Sequence, residues 1–280
     1  MELSYSLHLG NDKNKTKKAR QTAKKTLSKT TSSSNNAIQN FQQLSKVNHH
    51  NLRQYDNNQE KIEIIKGSNN IVEDVKQLYL DLFEEARIEY NEKQNRNDRK
   101  IDNYFRHISD DDKHDLACEI IIELGDMFFW EDKELDYWKK MSNVFKNQIS
   151  DLEELLPNFK IANATIHYDE HSPHLHIVGV AFKDGNKNGM KKQVGKSDVF
   201  NKTSLINIQD VMRNKCIKEF NYNYNLNATL RSKELGRNLD YSTDQMDYYK
   251  DLHQGGVPII AMLKHSMGKK WTSERASMIT

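Results

Sequence analysis

The sequence predicts an α+β domain in which a mostly antiparallel sheet is covered by helices on one face. Short segments of alternating apolar and polar residues, typical of strands, are separated by longer segments whose apolar residues recur at helical spacing. Two of the strand segments, residues 161–168 and 175–182, follow each other closely enough to predict a hairpin or adjacent strands.

The same patterns place the elements in chain order. Strands are predicted at residues 3–9, 61–66, 116–124, 161–168 and 175–182. Helices are predicted at residues 37–47, 70–93, 97–107, 131–156 and 202–221. Pro157 ends the fourth helix, and the Gly/Lys/Asn-rich stretch 183–199 is predicted to be a loop.

The composition predicts a folded protein and excludes a disordered chain. The 280 residues are 36% hydrophobic and include 10 Phe, 12 Tyr and 3 Trp, which is enough for a core. No apolar stretch is long enough to span a membrane, and we expect no secretory signal. Cys118 and Cys216 have neither metal nor disulfide spacing, so we expect a cytoplasmic protein.

One main domain is predicted over residues 1–240, followed by a tail of unclear fold over residues 241–280. Within this domain, residues 10–36 are rich in Lys, Thr, Ser and Asn, which predicts a mobile basic segment. Residues 70–107 carry apolar residues at helical spacing and form a predicted helical insert.

The charge is unevenly distributed along the chain, although the net charge is only +2. Residues 1–60 carry 10 Lys/Arg against 4 Asp/Glu, and residues 177–280 carry 17 against 10. The middle, residues 71–156, is acidic, with 12 against 23. Basic ends favour a face that binds a polyanion, and the alternative is a solvated lysine-rich surface.

The segment 167–176 contains four histidines and two carboxylates within ten residues. Residues two apart in a strand point to the same face, so His174 and His176 should project together. If the chain turns back between the two strands, His167 lies opposite that pair. Three imidazoles that converge in this way predict a metal site with open positions for substrate.

The two carboxylates in this segment have two possible roles. Asp169 and Glu170 are predicted either to supply a fourth ligand or to hold an imidazole by its second nitrogen. His171 does not share the alternation of the other three histidines, and we leave it out of the predicted site.

The segment resembles the third motif of the MobV (Mob/Pre) relaxases, which are plasmid mobilisation and recombination enzymes: His167-x-Asp169-Glu170-x-x-Pro173-His174-x-His176. These relaxases belong to the HUH endonucleases, which are named for a His-hydrophobe-His pair, here residues 174–176. The resemblance spans roughly residues 1–240. It implies a relaxase fold with a long helical insert, and a metal-dependent enzyme that nicks and rejoins one DNA strand.

The resemblance also implies a nucleophile in the segment His50-Asn51-Leu52-Arg53, which is similar to the family's first motif, His-Asn-x-Arg. His50 would attack the scissile phosphodiester and form a covalent 5′-phosphohistidine. Arg53 would add a bidentate phosphate contact, and Asn51 would contact DNA. Tyr55 is the alternative nucleophile, because most HUH enzymes use tyrosine.

The metal is predicted to be Mn²⁺ or Mg²⁺, and imidazole ligands favour Mn²⁺. It would act as a Lewis acid on the non-bridging phosphate oxygens. This chemistry requires His50 to lie within about 8 Å of the three ligand imidazoles, so that one phosphate bridges them.

The expected partner is single-stranded or supercoiled plasmid DNA at an origin of transfer, together with a coupling protein of a conjugation system. Lysines of the predicted loop should contact the DNA backbone, namely Lys187, Lys191, Lys192 and Lys196. Two other functions stay open. One is a metal-dependent phosphodiesterase without a covalent intermediate, and the other is a non-catalytic relaxase remnant that binds DNA.

Overall fold

A computed structural model describes residues 1–9, 37–55 and 61–231. Met1–Arg231 forms one compact unit with the predicted α+β architecture, so the predicted fold class is confirmed. The predicted basic segment 10–36 and the predicted domain boundary at residue 240 lie outside the described residues. None of the helices in the described part combines the length and apolar character that a bilayer-spanning segment requires.

Strands and helices are interspersed along the described chain. The strands are β1 (Glu2–Leu3), β2 (Tyr5–Leu9), β3 (Ala37–Ile38), β4 (Ile62–Lys66), β5 (Ala117–Leu124), β6 (Phe159–His167), β7 (His174–Lys183), β8 (Gln193–Val194) and β9 (Thr229–Leu230). The helices are α1 (Phe41–Asn51), α2 (Ile71–Glu92), α3 (Tyr104–Ser109), α4 (Met127–Trp130), α5 (Leu135–Lys139), α6 (Met141–Leu155), α7 (Lys196–Val199) and α8 (Lys202–Tyr224).

Within the described residues, the main sheet has the strand order β2-β5-β7-β6-β4, and each neighbouring pair is antiparallel. The short strand β3 pairs with β5, and β8 pairs with β7. β1 and β9 form a separate parallel pair. The predicted hairpin is confirmed, because β6 and β7 are adjacent over most of their length.

Helices cover both faces of the sheet, which corrects the prediction that they cover one face. One apolar cluster joins the sheet to α6 and α8, and a second joins its other face to α1, α2 and α3. Along β7, Leu175 and Ile177 belong to the first cluster, whereas Val178 and Val180 belong to the second. The strand is therefore buried on both sides, which explains its nearly continuous apolar sequence.

The helix predicted at 37–47 begins later and ends later than the periodicity suggested. Ala37–Ile38 extends the sheet as β3, and the side chain of Asn40 caps the helix by accepting a hydrogen bond from the Gln43 amide at 3.0 Å. The helix then continues to Asn51. His50 consequently lies in the last helical turn and not in a loop.

Three other predicted segments are divided differently. The piece predicted at 97–107 is a 3-10 turn, Asn97–Arg99, followed by α3. The helix predicted at 131–156 is split into α5 and α6. The loop predicted at 183–199 contains β8 and α7.

Because β7 is buried on both faces, truncating one of its core side chains should lower the free energy of unfolding. Ile177 is fully buried, so Ile177→Ala should lower the free energy of unfolding by about 2–5 kcal/mol. Urea denaturation followed by circular dichroism measures this change. The matched control is Ile206→Ala on α8, where the side chain is 54% exposed and the expected change is within about 0.5 kcal/mol. Equal effects of the two substitutions would contradict the assigned core.

Candidate metal centre

The register of β6 and β7 places three histidines on one face of the sheet. His167 pairs with His174 across the two strands, and Thr165 pairs with His176. Directly paired residues point to the same side, so the three imidazoles project together. Their ring centroids are 4.3 Å apart for His167 and His176, 5.0 Å for His174 and His176, and 5.1 Å for His167 and His174.

Each of these three imidazoles is oriented through one of its nitrogens. His176 Nδ1 lies 2.9 Å from the Glu119 carboxylate, and His174 Nδ1 lies 2.9 Å from the Ser172 carbonyl oxygen. His167 Nε2 lies 2.9 Å from the carbonyl oxygen of Asn51. Because an acceptor faces each of these nitrogens, that nitrogen carries the proton, and the lone pair is on His167 Nδ1, His174 Nε2 and His176 Nε2.

The available nitrogens fit a transition-metal ion. His167 Nδ1 and His176 Nε2 are buried, and neither has a hydrogen-bond partner within the described residues. A buried polar atom without a partner is costly, and coordination to a metal would satisfy it. An imidazole that binds through one nitrogen while an acceptor holds the other is the usual arrangement of a metal-ligating histidine.

Two overlapping groups of candidate ligands occur in the described chain: His50, His167 and His176 in the first, and His167, Glu170 and His174 in the second. In each group the ligand atoms lie within 4.8 Å of one another. The two groups share His167, so together they surround one region and include all three histidines of the predicted set. They add His50 and Glu170 as possible ligands.

Burial keeps the central imidazoles neutral. It lowers the pKa of both His167 and His176, and the neighbouring imidazoles lower it further. Neutral imidazole is the form that binds a metal, so these two residues need not lose a proton first.

His50 lies at the end of α1, directly beside this cluster. Its ring centroid is 5.6 Å from that of His167 and 5.5 Å from that of His176, in keeping with the 8 Å expectation. The residue is exposed to solvent, yet desolvation on its inner side and the nearby charge of Arg53 lower its pKa. The ring is therefore neutral, close to the candidate metal ligands and reachable by a substrate.

Arg53 is a buried link between the α1 segment and the β6–β7 turn. It donates to Asp169 from Nε at 2.7 Å and from Nη2 at 2.8 Å, and to Glu170 from Nη2 at 2.6 Å. Its Nη1 donates to the His50 carbonyl oxygen at 3.0 Å and to Tyr55 Oη at 3.2 Å. All five N–H groups of the guanidinium thus have protein acceptors. The phosphate contact predicted for Arg53 disagrees with this geometry, because no donor is left for it.

Arg53 and Asp169 stabilise each other's charged forms. Burial opposes the charge on Arg53, but its hydrogen bonds to Asp169 and Glu170 raise its pKa overall. Burial likewise opposes the charge on Asp169, and the Arg53 hydrogen bonds lower the pKa of that carboxyl overall. Arg53 adopts a left-handed backbone with φ +47°, which the surrounding ion pairs hold in place.

The two predicted carboxylates therefore have different surroundings. Asp169 is turned to Arg53 and does not hold an imidazole, so the predicted orienting role is corrected for this residue. Glu170 has one oxygen on Arg53 and the other 3.9 Å from His174 Nε2. Only Glu170 is close enough to the histidines to act as the predicted fourth ligand.

Tyr55 lies next to the other candidate nucleophile. Its side chain is 59% exposed, and its hydroxyl is 3.3 Å from His50 Nδ1. Because this contact is made by Nδ1, the other ring nitrogen of His50, Nε2, does not face Tyr55. The structure thus brings both candidate nucleophiles to the same edge of the cluster.

Most of the residues predicted to contact DNA are either engaged within the protein or distant from the histidines. Asn51 is buried and donates to Glu119 at 2.9 Å, so its side chain is not available to DNA. Lys196 is ion-paired with Asp115 at 2.7 Å, and the Lys192 ammonium lies 5.2 Å from the centre of the Phe182 ring. The loop that carries the predicted lysines follows the far end of β7, whose ten residues extend about 30 Å from His174.

Glu119 is a site residue that the sequence-based prediction missed. It is buried on β5 and accepts hydrogen bonds from both His176 Nδ1 and the Asn51 amide, each at 2.9 Å. Burial raises its pKa, and the Asn51 hydrogen bond only partly offsets that effect. The signal was an acidic residue within the apolar run 116–124, which a buried strand tolerates only with partners.

The fold and the cluster define an α+β protein with a histidine-rich candidate metal centre. The family model named Mob_Pre, described as plasmid recombination enzyme, matches residues 33–251. The chain belongs to this family, and the resemblance seen in the sequence is confirmed.

Two solved structures that resemble the chain are MobM relaxase domains. One is Mn-bound and in complex with 22-nucleotide oriT DNA of plasmid pMV158; it has 15% sequence identity and a TM-score of 0.48, with 89% of this chain and all of that chain covered. The other is bound to 26-nucleotide oriT DNA of the same plasmid, with 15% identity, a TM-score of 0.45, and 87% and 98% coverage. No curated protein matches the chain.

The contact between Glu119 and His176 predicts a specific effect on metal binding. Glu119→Gln keeps the shape of the side chain but removes its charge, so Mn²⁺ should bind about 10–100-fold more weakly. Calorimetric titration of the apoprotein with Mn²⁺ measures this. Glu85→Gln, on the exposed surface of α2, is the charge-matched control and should bind Mn²⁺ like the wild type. Equal affinities of the two variants would show that Glu119 does not support a metal ligand.

Proposed function

We propose that this chain is a metal-dependent relaxase that nicks one strand of plasmid DNA at an origin of transfer and rejoins it, acting in the cytoplasm. Family membership supports the class of enzyme, and one observation supports the chemistry. The neutral His50 ring lies 5.5 Å from the His176 ring, beside buried imidazole nitrogens that have no partner in the described chain. A nucleophile and a candidate metal site are thus within reach of one phosphate.

The residues suit the binding of a divalent ion, and Mn²⁺ is favoured over Mg²⁺ by the imidazole set. His167, His174 and His176 would hold it, with Glu170 as a further ligand. When bound, the ion would withdraw electron density from the non-bridging phosphate oxygens as a Lewis acid.

The proposed reaction exchanges a phosphorus–oxygen bond of the DNA backbone for a phosphorus–nitrogen bond to His50, so the strand can be rejoined later. His50 Nε2 attacks phosphorus with its lone pair, an N–P bond forms, and the bond between phosphorus and the 3′ oxygen breaks. The 3′ oxygen leaves with the bonding electrons and takes up a proton from water as a 3′-OH, while the phosphorylated imidazole releases its Nδ1 proton to water. Attack by a 3′-OH on the same phosphorus reverses both steps and reseals the strand.

Protein contacts position the nucleophile for this step. Arg53 holds the His50 carbonyl oxygen and the Tyr55 hydroxyl, and that hydroxyl faces His50 Nδ1. With Nδ1–H donated to Tyr55, the lone pair is on Nε2. Arg53 therefore acts as a positioning residue in this proposal, and not as a direct phosphate ligand. A coupling protein of a conjugation system stays a predicted partner.

A second function is supported by a specific observation. His50 also belongs to a group of ligand-distance residues with His167 and His176. If His50 is a ligand, the same centre would serve a phosphodiesterase in which water cleaves the bond and no covalent intermediate forms.

The nucleophile can be tested with supercoiled plasmid that carries the DNA flanking this gene. His50→Ala should reduce nicking in Mn²⁺ by at least about 10³-fold, because it removes the attacking group. It should also abolish the protein–DNA adduct that survives SDS. His49→Ala changes the neighbouring exposed histidine and should keep both activities. EDTA should stop nicking by the wild type.

The adduct separates the alternatives. An adduct that persists in His50→Ala and is lost in Tyr55→Phe would identify Tyr55 as the nucleophile. Nicking by the wild type without any adduct would support the phosphodiesterase. Salt-sensitive DNA binding without nicking would support a non-catalytic remnant.

A further inference from the structure

A basic groove lies between the end of α2 and the loop that follows β7. It has a volume of about 340 Å³. Tyr90 and Lys93 line one wall, and Lys187 and Lys191 line the other. Residues three or four positions apart share a helix face, so the ring of Tyr90 and the stem of Lys93 face the same space.

The loop that forms one wall of the groove is held in place by hydrogen bonds within the loop and by one buried side chain. The amide and the side chain of Asn186 both donate to the Lys191 carbonyl oxygen, each at 3.0 Å. Gln193 Nε2 donates to the carbonyl oxygens of Asn188 at 2.9 Å and Met190 at 2.6 Å. Met190 is buried in the apolar cluster that also contains α2. The loop is thereby fixed against the helix, and the groove keeps its shape.

The charge of the groove favours a polyanion. Three lysines line it with one carboxylate, Glu89. Lys93, Lys187 and Lys191 are exposed, and none of them forms an ion pair with a described residue. Tyr90 is partly buried beside them: it packs against the second apolar cluster and also lines the groove. Lysines that track phosphates and an aromatic ring that stacks on a base are the usual elements of a single-strand site.

The groove is well separated from the candidate metal centre. His174 begins β7 and the loop follows its other end, so the strand alone spans about 30 Å. Helix α2 gives an independent estimate, since the amide of Ile71 at its start bonds to the Asn48 side chain of α1 at 2.7 Å. Its 22 residues then extend about 33 Å to the groove. That span corresponds to about nine phosphates at the spacing of one strand of B-DNA.

We propose that this groove is a second DNA subsite, which holds a single-stranded stretch up to about nine nucleotides from the reacting phosphate. The proposal rests on the proposed function, because it takes DNA as the ligand. In this subsite the three lysines contact backbone phosphates and Tyr90 stacks on one base. It adds affinity for long substrates and takes no part in the chemical step.

The test compares two labelled oligothymidylates, one of about 6 and one of about 20 nucleotides, because only the longer one reaches both sites. The groove variant is Lys93→Gln/Lys187→Gln/Lys191→Gln. The control with the same loss of charge is Lys139→Gln/Lys202→Gln/Lys218→Gln, on exposed positions of α5 and α8. Fluorescence anisotropy over a range of salt concentrations gives affinity and its salt dependence.

For the long oligonucleotide, the slope of log affinity against log salt should fall by about 2 in the groove variant, since each lost phosphate contact removes about 0.7. The control should keep the wild-type slope. The short oligonucleotide cannot span both sites and can still bind at the histidine site, so its affinity should fall less in the groove variant than that of the long one. Tyr90→Leu should weaken binding of the long oligonucleotide by about fivefold or more, through loss of stacking.

Equal slopes for the groove variant and the control would overturn the proposal, and so would an equal loss for the short and long oligonucleotides. The binding assay does not require the protein to nick DNA. A chain that fails to nick but shows the groove effect would therefore contradict the proposed function and leave the DNA subsite standing.

Discussion

The pairing of β6 with β7 is the constraint on which the candidate metal centre depends. Its register places His167 opposite His174 and brings His176 beside Thr165. Because side chains alternate along a strand, a shift by one residue would turn the imidazoles of one strand to the opposite face. Burial of β7 between two apolar clusters disfavours such a shift. The packing of the core therefore also sets the geometry of the site.

A second set of contacts attaches the end of α1 to this framework. The Asn51 carbonyl oxygen faces His167, the Asn51 amide donates to Glu119, and Arg53 pairs with Asp169. Buried charges such as Glu119 and Arg53 are costly unless they are paired, and each has its partners within the site. The same contacts that satisfy these charges bring His50 next to the histidines. Stability and the position of the proposed nucleophile are thus coupled.

The alternation of residues 174–176 and the short connection to His167 were sufficient to predict three convergent imidazoles. An acidic residue in the apolar run 116–124 marks Glu119 as unusual, but local patterns could not predict its contact with His176 or the contact of Arg53 with Asp169. Those contacts join residues 57 and 116 positions apart. The covering of both sheet faces was missed for a similar reason. Strand order along a sequence does not say on which side each helix packs, and only the alternating burial within β7 reveals it.

The central claim is that three imidazoles hold one metal ion beside His50. Anomalous diffraction from Mn²⁺-soaked crystals, recorded at the manganese edge, tests it most directly. The account predicts one strong peak within coordination distance of His167 Nδ1, His174 Nε2 and His176 Nε2, with the His50 ring facing it. Peaks only at exposed carboxylates, with the three rings pointing away from a common centre, would contradict it.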